Sequence, residues 1–167
     1  MTSAPGTITL VHMYEHDAAC PGGRVLAIDY GKRRIGLAIS DPTGTIATGI
    51  GTLEVTGDED ALTRITAGHA EWGYRTIIIG LPIKESGAEG PMAEAVRAFA
   101  ARLRERTTVE VRLVDERYTS REAERIFHET GKKLKGRKGD IDRLAAEVLL
   151  RGYLDSLDAI SGIDMDE

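Results

Sequence analysis

With 167 residues, a formal net charge of −5 at pH 7, and 41% hydrophobic against 29% charged residues, the chain has the composition of one globular domain. That length leaves no room for the second lobe of a large nucleotide-dependent machine, and the acidic balance argues against indiscriminate polyanion binding while permitting a local basic patch. The single cysteine, Cys20, excludes an intramolecular disulfide and a zinc site built on thiolates, and fits a reducing cytoplasm.

Residues 1–23 read as an N-terminal extension. Ile8, Leu10 and Met13 make a marginal strand at most, because Pro5, Gly6, Pro21, Gly22 and Gly23 punctuate both sides. Asp17-Ala18-Ala19-Cys20 is faintly like a lipoprotein cleavage site, but a basic start and a sustained apolar core are missing. No stretch approaches the roughly 18 apolar residues of a membrane helix, so no membrane partner is expected. From Arg24 the pattern sharpens. Val25-Leu26-Ala27-Ile28 and Ile35-Gly36-Leu37-Ala38-Ile39 flank a polar hexapeptide and predict a β-hairpin, with a third strand over 47–55 after the turn at Asp41-Pro42-Thr43-Gly44. Ala61, Leu62, Ile65, His69 and Trp72 then repeat at helical spacing, and Thr56 with Glu59 is spaced as a capping box.

Thr76-Ile77-Ile78-Ile79-Gly80 is continuously apolar, as expected of a strand covered on both faces. Pro91 suits the first turn of a helix carrying Met92, Ala95, Val96, Phe99 and Leu103. Val109, Val111, Leu113 and Val114 predict a further strand. Thr119 and Glu122 form a second capping box, opening a helix that stops near Gly131, and a last helix is expected over 141–157, before an acidic tail at 158–167. The order is β-β-β-α-β-α-β-α-α. Three antiparallel strands followed by alternating strands and helices predict an α/β domain over 24–157: a mixed five-stranded sheet with helices on both faces.

Carboxylates stand at three places where they are costly. Asp29 ends the first strand, Asp115 and Glu116 end the strand over 109–114, and Asp142 begins the last helix. Each has a structural explanation taken alone: a turn cap at Gly31, an ion pair between Glu116 and an arginine, and helix capping by Asp140 or Asp142. Strand ends and a helix start can converge on one edge of an α/β sheet, however, and clustered carboxylates resist full ionisation unless a cation sits among them. Mg²⁺ or Mn²⁺ takes such oxygen ligands, and a metal pair about 4 Å apart could activate a water and steady the leaving oxygen of a phosphodiester. His12, His16, His69 and His128 show no ligand spacing that would compete.

Four motifs stand in one order: Asp29-Tyr30-Gly31-Lys32-Arg33-Arg34-Ile35-Gly36, Gly80-Leu81-Pro82, Asp115-Glu116-Arg117, and Asp142 ahead of Ala145-Ala146. In these the chain resembles, over about residues 24–155, the YqgF family, also called RuvX. Its members are described as Holliday junction resolvases or as nucleases processing the 5′ end of pre-16S rRNA. The resemblance implies a ribonuclease H-like fold and a divalent-metal nuclease whose catalytic and metal-holding residues map onto Asp29, Glu116 and Asp142. Two positions depart from the family pattern: Ser86-Gly87 replaces Asp-Gly, and Asp140 replaces a basic residue, with Lys138 keeping a positive charge nearby.

Lys132, Lys133, Lys135, Arg137 and Lys138 fall in one glycine-bounded loop ahead of Asp142. Beside a metal site they form a candidate phosphate clamp, extended by Lys32, Arg33 and Arg34; Arg34 could instead brace the acidic site. Tyr118 is the best candidate for stacking on a base. The expected partner is RNA, a pre-rRNA, with DNA as the rival in junction resolution and a non-catalytic nucleic-acid-binding protein as the alternative of another class. An actin-like ATPase also uses Asp-x-Gly on this fold but needs the missing lobe. The apolar faces are all required to cover the sheet, so a monomer or weak dimer is expected.

Overall fold

The computed structural model describes residues 23–118, 125–126, 128–130, 133 and 136–163. Five strands form one sheet: β1 (Arg24–Asp29), β2 (Arg34–Ser40), β3 (Ala47–Glu54), β4 (Tyr74–Leu81) and β5 (Glu110–Asp115). Their spatial order is β3-β2-β1-β4-β5, with β1 central. β1 to β3 pair antiparallel as a meander, whereas β4 pairs parallel to β1 and β5 parallel to β4. Helices α1 (Asp58–Trp72) and α2 (Pro91–Arg106) supply the parallel crossovers, and α3 (Lys138–Ile163) closes the chain. This is the mixed ribonuclease H-like sheet expected from the sequence.

Side-chain alternation divides the core in two. Leu26, Ile28, Ile35, Ile77 and Ile79 join Leu62, Val96, Phe99 and Leu103 on the α1–α2 face. Val25, Ala27, Ala38, Ala47 and Ile78 join Ala146, Leu149, Leu150 and Leu154 on the α3 face. Apart from the exposed Arg75 near its start, β4 is buried on both faces, and its centre, Ile77 to Ile79, is correspondingly apolar. The α3 face of β1 to β3 is floored by small residues, and this lets α3 lie close. A Cβ at Gly36 would overlap the Asp142 carbonyl oxygen, and one at Gly49 would stand 2.7 Å from the Arg143 Cγ. The Thr52 hydroxyl donates to the Gly139 carbonyl at 2.5 Å, and the Gly49 N–H donates to Glu147 Oε2 at 3.1 Å. These contacts fix where the first turns of α3 sit over the sheet.

Several local expectations need correction. Thr56 and Glu59 do not form a capping box: α1 starts at Asp58 behind Gly57, the Thr56 N–H donates to Asp60 Oδ2 at 3.0 Å, and Glu59 pairs with Arg102 and Arg106. Gly57 in an extended conformation displaces the cap by one residue. Met92 is exposed, because Ala93, Val96, Ala100 and Leu103 take the buried stripe of α2. α3 is longer than read, opening at Lys138 and continuing past Leu157 to Ile163. The capping residues Thr119 and Glu122 lie outside the described residues; 125–126, 128–130 and 133 are helical.

Candidate active site

Parallel strands place their carboxyl ends on one edge. Ile28 of β1 is in register with Ile79 of β4, and Leu81 of β4 with Asp115 of β5. Asp29, Gly80 and Glu116 therefore come together at the edge where ligands bind in open α/β sheets. The same alternation that puts Val25 and Ala27 on the α3 face puts Asp29 there too, in register with Gly36 of β2. Glu116 follows β5 in a short 3₁₀ turn (Glu116–Tyr118) and folds back across β4. A Cβ at Gly80 would stand 2.5 Å from Glu116 Oε1, so only glycine leaves room for that carboxylate. Asp142 arrives from above, with its own carbonyl seated on Gly36. Three distant stretches thus bring three carboxyl groups to one face.

The site opposes negative charge. Asp29 is pushed up to about 7, first by burial and then by repulsion from Glu116 and Asp142. Glu116 also lies above the ordinary glutamate range, through burial and the adjacent Asp115. Asp115 behaves oppositely: Arg117 donates from Nε and Nη2 to its Oδ2 at 3.0 and 2.8 Å and holds its proton affinity low. Asp115 thereby serves the turn rather than the carboxylate cluster. Asp142 sits beyond the first turn of α3, where Asp140 stands 4.0 Å from Arg137, so it is no helix cap. It faces Arg34, whose Nε donates to Asp142 Oδ2 at 3.0 Å.

Hard-cation donor chemistry fits this cluster: oxygen ligands, Asp29 among them half-buried, and mutual repulsion that a divalent ion would relieve. Among the described residues, no three acidic, histidine or cysteine side chains stand close enough to form a ready-made ligand shell. The carboxylates are neighbours, with Asp142 turned to an arginine.

Lys32 and Arg33 are exposed on the β1–β2 turn, Lys133 and Arg137 are exposed ahead of α3, and Lys138 is exposed at its first position. Lys133 is helical and Lys138 opens α3, so the basic segment is not purely a loop; Lys132 and Lys135 lie outside the described residues, as does the side chain of Tyr118. Sequence reasoning missed three supports of the site. Gly36 and Gly80 provide the close approaches above. Tyr30, on the opposite face from Asp29, donates its hydroxyl to Asp58 Oδ1 at 2.8 Å and packs on Phe99 with ring centroids 4.9 Å apart, anchoring the strand end to α1 and α2. All three stand inside the motifs quoted above, but nothing in the motifs says what each supports.

The RuvX family model, described as Holliday junction resolvase, matches residues 23–156. A "putative pre-16S rRNA nuclease" of Koribacter versatilis is 39% identical over 145 residues, covering 87% of this chain and 92% of the relative. One of Dictyoglomus turgidum with the same description is 39% identical over 134 residues, covering 80% and 95%. The fold is shared with the Fowlpox virus resolvase solved in complex with Holliday junction DNA, at a TM-score of 0.50 and 14% identity, covering 80% of this chain and 98% of that one. A match running from the start of β1 into α3, with relatives aligned over nearly their whole length, makes this chain a member of the RuvX family.

Proposed function

We propose that the protein is a nuclease that hydrolyses phosphodiester bonds in nucleic acid with Mg²⁺ or Mn²⁺ held by Asp29, Glu116 and Asp142, and that it processes the 5′ end of pre-16S rRNA. The observation that carries this reading is Asp29: a half-buried carboxyl at the end of the central strand, facing two more and pushed well above the usual aspartate range, is unfavourable to the fold and suited to a cation. A bound divalent ion supplies charge neutralisation at the scissile phosphate and a more acidic attacking water. Asp29 and Glu116 bind from the strand ends and Asp142 from α3. β1 fixes the backbone of Asp29 and the contact with Gly36 fixes that of Asp142, so closing these ligands on an ion needs side-chain rotation rather than backbone movement. Lys32, Arg33, Lys132, Lys133, Lys135, Arg137 and Lys138 attract the phosphate backbone, and Tyr118 stacks on a base.

The names of the relatives favour RNA. Junction resolution is the second reading, favoured by the description of the family model. A resolvase making paired symmetric cuts needs a two-fold dimer. Among the described residues the large exposed hydrophobics are Ile46 and Met92, far apart in sequence and too few for an obligate interface, which supports a monomer or weak dimer. No described helix is long and apolar enough to cross a membrane. We place the protein in the cytoplasm on its single cysteine, with residues 1–23 as an extension outside the nuclease domain. The test is cleavage of end-labelled RNA, single-stranded DNA and a four-way junction with and without Mn²⁺, together with mapping of rRNA 5′ ends after depletion of the protein in its host. Unprocessed 5′ ends support the RNA assignment; normal ends with paired junction cuts support the resolvase. Binding without cleavage of any substrate would indicate a non-catalytic protein.

A further inference from the structure

We infer that Arg34 is a latch on the metal site: it holds Asp142 while the site is empty, and gives it up when a divalent cation binds. This rests on the reading of Asp142 as a metal ligand. Arg34 opens β2 on the same sheet face as Gly36 and Ala38, and its Nε stands 3.0 Å from Asp142 Oδ2. The backbone of Asp142 cannot follow a departing side chain, because its carbonyl is wedged against Gly36 and the preceding turn is tied to Thr52. Rotation of the carboxylate between Arg34 and the cluster needs no such backbone movement.

The latch is weak enough to open. Both side chains reach solvent, with 39% of Arg34 and 27% of Asp142 exposed, and exposed ion pairs of this kind contribute little. It also accounts for a cluster in which three carboxyl groups share one face yet do not close into a ligand shell. A released Arg34 remains at the rim with its guanidinium free to take a non-bridging phosphate oxygen. Cation and nucleic acid then favour each other through a single side chain, reciprocally.

An Arg34 that merely orients Asp142 for the metal and an Arg34 that competes for it predict opposite signs. Mn²⁺ binding to the full chain, followed by the electron paramagnetic resonance of the free ion, separates them. The latch predicts that Arg34→Gln tightens Mn²⁺ binding up to about fivefold, the equilibrium equivalent of a weak exposed ion pair. Arg34→Lys, which keeps the charge without the planar fork, should fall between wild type and Arg34→Gln. It serves as the second variant should the glutamine protein fold poorly by circular dichroism. Unchanged or weaker Mn²⁺ binding in Arg34→Gln, or in Arg34→Lys where only that variant folds, overturns the latch and leaves the metal reading standing. Wild-type binding no stronger than that of Asp29→Asn overturns both.

Discussion

Replacing Asp29 by Asn in metal-free protein should stabilise the fold, and the gain should depend on pH. Asp29 titrates at about 7 in the folded chain against 3.8 as its ordinary value. Between those values the folded state binds more protons than the unfolded one, so the wild type loses stability as pH rises. Below about 4 the carboxyl is protonated in both states and the burden vanishes. Above about 7 it is fully present. Three units at about 1.36 kcal/mol each set an upper limit near 4 kcal/mol; partial exposure of the side chain reduces this to about 2 kcal/mol. For a domain of this size that is a melting-temperature gain of roughly 4–8 °C. The assay is thermal or urea unfolding of both proteins in EDTA from pH 4 to pH 8, reading the difference between them so that other titrating groups cancel. A difference that grows toward pH 8 fits the account. A difference flat across the range would refute the claim that Asp29 is buried against its own charge.

Gly80→Ala places a Cβ 2.5 Å from Glu116 Oε1. It should lower cleavage at least tenfold through displacement of one carboxylate, with a melting temperature within about 3 °C of wild type because a flexible side chain absorbs the clash. Gly36→Ala meets helix backbone instead. It should cost about 1–3 kcal/mol in urea unfolding as well as activity, and equal stability of the two alanine variants would contradict the different supports assigned to them. Neutralising Lys133, Arg137 and Lys138 should weaken single-stranded RNA binding and reduce the slope of log affinity against log salt by about 2, at roughly 0.7 for each phosphate no longer neutralised; an unchanged slope would show that they do not touch the backbone.

What could be read without coordinates was whatever short-range pattern decides. The run Ile77 to Ile79 is apolar at every position, and a strand buried on both faces is the simple way to satisfy it. Asp29 directly after Val25 to Ile28 marks a strand end, and the alternation of β-rich and helix-rich segments fixes a mixed sheet. Features decided by tertiary contact were not legible. Arg34 and Asp142 are 108 positions apart, and nothing local announces their pairing. Gly36 and Gly80 look like ordinary strand glycines until a helix backbone and a glutamate are laid over them. The spacing of Thr56 and Glu59 satisfied a capping pattern that the extended Gly57 overrides, and Met92 matched a helical period whose buried stripe runs one residue over.

The central claim is that Asp29, Glu116 and Asp142 act together on a divalent ion to hydrolyse nucleic acid. Its most direct measurement is single-turnover cleavage of end-labelled RNA by the full chain and by Asp29→Asn, Glu116→Gln and Asp142→Asn, each folded by circular dichroism, with Mn²⁺ and with EDTA. The account predicts cleavage by the wild type with Mn²⁺ alone and losses of at least a hundredfold in every variant, about 2.7 kcal/mol of transition-state stabilisation. Cleavage that persists in EDTA, or near wild-type turnover in any one of the three variants, would contradict it.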